Sequence, residues 1–139
     1  MRGRQDPQVS MLAFVDVETR VPLDHPLRTI KRFADAALAE LSALFDELYA
    51  ADGTGRPSIP PERLLKASLL MSLYSVRSER AFCEELDYHL LFRWFLDMDL
   101  VEPSFDHSTF SKNRQRLLRA RVRQRFCDEV GLQAARRQL

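Results

Sequence analysis

Apolar residues recur at three- and four-residue steps along most of this chain, and that period commits it to helices. From Leu27 to Tyr49 the stripe runs Leu27, Ile30, Phe33, Ala34, Ala37, Leu38, Leu41, Leu44, Phe45, Leu48. A stripe of this width marks one long amphipathic helix with a single buried face. Pro22 and Pro26 fence off its start, with Asp24 as an N-terminal acid. Pro26 suits a first turn, where no backbone N–H is needed. The turn cluster Ala51-Asp52-Gly53-Thr54-Gly55-Arg56-Pro57-Ser58 ends the helix. Pro60-Pro61-Glu62 opens a second one. It carries Leu64, Leu65, Ala67, Ser68, Leu69, Leu70, Met71, Leu73 and Tyr74. A helix apolar almost all round belongs at the centre of a bundle.

Shorter helices follow. Ser78 is placed to cap a third, with Glu79 in its first turn and Ala81, Phe82, Cys83 and Leu86 facing inward. A fourth starts at Asp87 or Tyr88 and carries Leu90, Leu91, Trp94, Phe95 and Leu96. Asp97 to Asp106 is acidic, contains Pro103 and reads as a loop. Asp106 caps a fifth helix from His107 to about Leu118. A sixth runs from Arg119, with Val122, Phe126 and Val130 at i, i+4, i+8. Residues 1–23 lack the period and form an irregular arm, with a short extended piece around Phe14–Glu18. The expected fold is all-α: a bundle of about six helices over residues 24–139, containing a helix-turn-helix-like portion.

Several function classes fall away. No apolar run reaches the roughly 18 residues of a membrane span, and no apolar stretch follows MRGRQDPQVS as a secretory signal requires. Cys83 and Cys127 make no disulfide framework and read as buried thiols of a reducing compartment. Four glycines and no glycine-rich loop argue against a nucleotide phosphate site. His25, His89 and His107 show no metal-ligand spacing to either cysteine. Asp97, Asp99, Glu102 and Asp106 lack the calcium-loop pattern and read as a solvated loop. Asp106-His107-Ser108 are adjacent on one turn and cannot form a catalytic relay; capping accounts for them better. Tyr88 and Trp94 near Arg93 have the chemistry to stack on a base, but the same residue types line a bundle core. The reading is of a chain with no catalytic residue, no metal and no cofactor of its own.

The net charge of +1 hides a segregation. Residues 107–139 hold Lys112, Arg114, Arg116, Arg119, Arg121, Arg123, Arg125, Arg136 and Arg137 against Asp128 and Glu129, a net +7; the other 106 residues are therefore −6. Such asymmetry points to an anionic polymer as partner, or to a solvated basic helix without one. With Phe110 and Leu117 taken as the buried seam of the fifth helix, Ser108, Lys112, Gln115, Arg116 and Arg119 fall on the opposite side, with no acid among them. Ser108, Thr109 and Ser111 lie in the first turn, where hydroxyls and backbone N–H groups can meet phosphate. Asn113 and Arg114 turn toward the seam. This is how a recognition helix is built: backbone contacts at its N-terminus, long polar side chains toward base edges. The candidate DNA contacts are Ser108, Thr109, Ser111, Lys112, Gln115, Arg116 and Arg119, with Arg121, Arg123 and Arg125 adding phosphate contacts. The loop before this helix is longer than the three or four residues of a standard helix-turn-helix. A protein-interaction helix and a plain solvated face remain alternatives on these grounds.

Three stretches carry a family resemblance. The first is Val21-Pro22-Leu23-Asp24-His25-Pro26-Leu27-Arg28. The second starts at Gly55-Arg56-Pro57-Ser58-Ile59-Pro60-Pro61-Glu62-Arg63-Leu64-Leu65 and runs on to Leu73-Tyr74-Ser75-Val76-Arg77-Ser78-Glu79-Arg80. The third joins Leu86-Asp87-Tyr88 through Leu91-Phe92-Arg93-Trp94-Phe95 to Asp106-His107-Ser108-Thr109-Phe110-Ser111-Lys112-Asn113-Arg114. In this order they resemble the N-terminal domain of bacterial insertion-sequence transposases of the IS-five type, over about residues 8–130. The resemblance implies a helical domain that binds double-stranded DNA at an element's terminal inverted repeats. In such enzymes a separate ribonuclease-H-like domain carries three carboxylates and two divalent metal ions, such as Mg2+, for strand transfer. No residue here matches those motifs, so the catalytic domain is expected to be absent, and the chain to be no enzyme by itself. A cytoplasmic, nucleoid-associated location is implied. The alternative reading is a protein-interaction module that associates with itself or with intact transposase, the 27–49 helix providing the contact.

Overall fold

The computed structural model describes residues 1–50, 59–119 and 121–137, and the described residues form helices and no strand. They are α1 (Val17–Arg20), α2 (Pro26–Glu40), α3 (Ser42–Ala50), α4 (Pro61–Leu73), α5 (Glu79–Leu86), α6 (Leu90–Phe95), α7 (His107–Arg119) and α8 (Val122–Arg137). The all-α expectation holds. The turn cluster 51–58 lies outside the described residues.

The helices start where sequence chemistry directs. The Ser78 hydroxyl accepts from the Ala81 N–H at 3.1 Å and starts α5. Pro61 opens α4 at a position that needs no donor. Asp106 caps α7 by accepting from the Thr109 N–H at 3.1 Å. At α2 the cap is His25 rather than Asp24: its Nδ1 accepts from the Leu27 N–H at 3.1 Å.

Several local expectations fail: α6 starts at Leu90 behind a His89 cap rather than at Asp87 or Tyr88, and α8 at Val122 rather than at Arg119, which still belongs to α7. The single helix over 27–49 is two, broken at Leu41, whose backbone leaves the helical region at φ −94°, ψ 2° while its N–H reaches Ala37 and Leu38 carbonyls at 3.2 Å. Leu41 and Phe45 both stay buried across the break. Of the extended piece expected around Phe14–Glu18, Asp16 is extended, but Val17 and Glu18 begin helix α1. Asp16 captures the Glu18 N–H at 3.1 Å and its carbonyl accepts from the Thr19 hydroxyl at 3.0 Å, which nucleates a turn where the described residues offer no strand partner.

The core is built on aromatic rings of α5, α6 and α7. Phe82 stacks on Phe92 at 5.7 Å and on Phe110 at 5.8 Å between centroids. Leu64, Leu65 and Leu70 fill in from α4, and Phe126 from α8. Helix α2 packs along α8, and α7 packs against α4, α5 and α8. The buried faces of α2 and α3, from Leu27 to Phe45, are spent on this core.

Buried cations tie the acidic loop after α6 to the bundle. Lys66 is 3% exposed; its Nζ meets Asp35 at 2.6 Å, Asp97 at 2.9 Å and the Phe95 carbonyl at 3.1 Å. Lys31 bridges the same two carboxylates at 2.9 Å. Burial opposes charge on Asp97, but the two lysines outweigh it and hold its carboxyl below the ordinary range. Arg63 forks onto Glu102 at 2.8 and 3.2 Å. Arg93, also 3% exposed, donates to the carbonyls of Leu86, Asp99 and Glu102. The loop expected to be merely solvated is therefore held from beneath, and it leads directly into α7.

Candidate nucleic-acid interface

Helix α7 is held on one face and open on the other. Phe110 and Leu117 are buried, as their spacing requires, and Phe105 stacks on Phe110 at 5.7 Å. Glu79 of α5 is the main polar clamp. Its carboxylate accepts from the Ser111 hydroxyl at 3.1 Å and pairs with Arg114 at 2.9 Å. Arg114 also donates to the Ser68 hydroxyl at 3.0 Å and lies over the Phe110 ring. Asn113 donates to the Thr109 carbonyl at 2.6 Å. Arg114 thus works inside the fold, as its position on the wheel suggested, while Asn113 bonds back along its own helix.

The first turn is partly used as well. Asp106 accepts from both the N–H and the hydroxyl of Thr109 at 3.1 Å. Those bonds, the backbone N–H first, hold the Asp106 carboxyl below its usual range. The chain's own carboxylate therefore sits at the positive end of α7, where a phosphate would otherwise go. Thr109 and Ser111 are committed within the molecule, whereas Ser108, Lys112 and Gln115 stand exposed. Arg116 is half-buried on the same helix. The Arg119 side chain lies outside the described residues.

The basic surface continues past α7. Arg121 takes a left-handed turn, φ 56°, that redirects the chain into α8. Arg121 and Arg125 are exposed and Arg123 half-exposed. A hollow of about 340 Å3, lined by Leu118, Arg121, Arg123, Gln124 and Cys127, joins the end of α7 to the start of α8 and has no acid in its wall. The nearby acids of α8 engage amides instead: Gln124 donates to Asp128 at 2.9 Å and Gln133 to Glu129 at 3.4 Å. Cys127 is exposed, against the expectation of a buried thiol; it lies beside buried Phe126 and turns away from the seam. Cys83 is buried as expected, and burial first, then Glu79 and Asp106, push its thiol up to about 11.

Sequence reasoning missed the part of Glu79, which it read only as a first-turn acid, and the buried roles of Arg93 and Lys66. A charged residue inside an apolar helical run, as Lys66 is, was the available signal. Among the described residues no three His, Cys, Asp or Glu side chains group to hold a metal ion. No helix among them is long and apolar enough to cross a membrane.

The geometry defines an all-helical domain that displays a clamped helix with a basic outer face. The chain belongs to the family described as Transposase domain (DUF772), which it matches over residues 15–116. That stretch takes in α1 through most of α7; Arg119, Arg121, Arg123 and Arg125 lie past it. No match was found among curated proteins or among solved structures.

Proposed function

We propose that this domain binds double-stranded DNA through the outer face of α7 and the start of α8. Its targets are the terminal inverted repeats of an insertion sequence, and it serves as the N-terminal domain of a DDE transposase of the IS-five type. The observation that carries the reading is the combination of transposase-domain membership with a helix whose inner face is clamped by Glu79 and Phe110 while Ser108, Lys112 and Gln115 face outward. A fixed helix with a free polar face suits the major groove. Arg121, Arg123 and Arg125 flank it as phosphate contacts, which position a protein without reading sequence. Ser111 and Thr109 support the helix rather than reach the duplex. Arg116 and Arg119 of the same helix are assigned as further DNA contacts. We assign no residue of this chain to strand transfer.

The test is fluorescence anisotropy against the element's terminal repeat and a shuffled duplex across a salt series. Tighter binding to the repeat, with a slope of several units at about 0.9 per phosphate neutralised, supports end recognition. Equal binding to both removes the sequence-reading part. No binding by a folded sample removes the DNA reading and favours a protein-interaction module.

A further inference from the structure

We propose that residues 9–15 form a dimerisation arm that seats in an apolar hollow of a second copy of this chain. Every residue from 1 to 16 is exposed, yet Val9, Met11, Leu12, Phe14 and Val15 crowd large apolar side chains into seven positions. Phe14 is fully open to water. So dense an apolar run on an unpacked segment marks a contact surface.

A complementary surface lies at the base of the same arm. A hollow of about 430 Å3 is lined chiefly by Val17, Val21 and Pro22 from the α1 region and by Tyr88, Leu90 and Leu91 at the start of α6. Its wall is mostly apolar, and Tyr88 stands at it 77% exposed.

The arm's own geometry favours a second copy over its own hollow. Phe14 lies three residues before Val17, which is itself part of the wall, and three residues reach roughly 10 Å at most. Asp16 leaves α1 in an extended conformation, φ −96°, ψ 110°, and its two bonds to Glu18 and Thr19 fix that direction. No glycine or proline between Val9 and Asp16 supplies a turn back. The root of the arm is rigid: Arg28 donates to the carbonyls of Glu18 at 2.6 Å, Val21 at 2.8 Å and Pro22 at 3.0 Å. A second molecule presents an identical hollow with none of these restrictions. Reciprocal exchange closes with two-fold symmetry and uses each surface twice. One buried phenylalanine covers about 150–250 Å2. Two arms, each adding Val9, Met11 and Leu12, thus come into the roughly 1,200–2,000 Å2 range of stable interfaces. With a net charge of +1, two copies meet little repulsion.

The experiment is sedimentation velocity of the full chain without DNA over a wide concentration range. Three proteins are compared: wild type, the double variant Leu12→Asp/Phe14→Asp, and Tyr88→Asp. Helicity by circular dichroism confirms folding; the substituted arm residues touch no core, and Tyr88 is exposed. Wild type is expected to dimerise, and each variant to do so at least about a hundredfold more weakly. A mixture of the two variants should recover heterodimer, because one supplies an intact arm and the other an intact hollow. A monomeric wild type overturns the proposal. Dimerisation of the arm double variant at wild-type strength overturns it too. Loss of dimer in the arm variant with Tyr88→Asp unaffected refutes the hollow as the seat.

Discussion

Arg93→Met should destabilise the fold by about 3–5 kcal/mol, the cost of losing the partner of buried polar groups. Arg93 is 3% exposed and bonds to three backbone carbonyls, those of Asp99 and Glu102 at 2.7 and 2.8 Å and that of Leu86. A hydrogen bond to a charged group is worth about 1.5–3 kcal/mol net. The Asp99 and Glu102 carbonyls lie on a loop that water can reach, so their loss is partly repaired. Leu86 is fully buried, and its orphaned carbonyl adds about 1–3 kcal/mol. Removing a guanidinium from the interior returns part of that, and methionine refills some of the volume. Arg93→Lys keeps the charge but loses the fork, and should fall between. For a domain of this length, thermal unfolding followed by circular dichroism should show a midpoint lowered by roughly 10 °C or more. A shift below about 3 °C would refute the view that this arginine holds the loop and thereby α7.

Acid should weaken the same region. Lysines hold Asp97, Arg63 holds Glu102 and the Thr109 N–H holds Asp106 below their ordinary carboxylate values. Their stabilising effect is full above the unfolded values of about 4 and lost as pH falls through the folded ones, so the thermal midpoint should drop on acidification below about pH 4; a flat profile there contradicts these pairings. Lys31 is raised, burial being outweighed by Asp97 and Asp35, so its contribution persists below its unfolded pKa and fades at strongly alkaline pH. In a thiol titration of the folded chain, Cys127 should react fast and Cys83 only after denaturation; two fast thiols would contradict the burial of Cys83. Lys112→Ala/Arg125→Ala should keep helicity while lowering the log–log salt slope of DNA binding by roughly 2, about 0.9 for each lost phosphate contact; an unchanged slope removes both from the interface.

What the sequence disclosed depended on how local the physics was. The caps at Ser78 and Asp106, the proline start of α4 and the seam of Phe110 and Leu117 each follow from residues within one or two turns. The break at Leu41 has no such marker: no proline or glycine lies there, and the three-and-four spacing runs straight through it. The turn at Arg121 is equally silent, because a left-handed residue there is arginine rather than glycine. At the candidate interface the outward face was legible from the wheel, but the commitment of Ser111 was not. Its partner, Glu79, lies 32 residues away. Spacing along one helix cannot reveal a clamp supplied by another.

The charge segregation gains its meaning from the same long-range pairs. Five carboxylates of residues 1–106 meet cations of that same stretch: Glu18 with Arg28, Asp35 and Asp97 with Lys31 and Lys66, Glu102 with Arg63, Asp87 with Arg93. Glu79 reaches across to Arg114, the residue that α7 turns inward. Within the basic segment Asp128 and Glu129 engage glutamines, which leave their charge in place but do not consume an arginine. These paired carboxylates build the body and anchor α7, while Lys112, Arg121 and Arg125 remain exposed at the surface. An exposed cationic face raises the rate of encounter with a polyanion more than it adds to the stability of the fold. Neutralising Lys112 or Arg125 should therefore change DNA association and its salt dependence while leaving the thermal midpoint almost unmoved, the reverse of the pattern expected at Arg93.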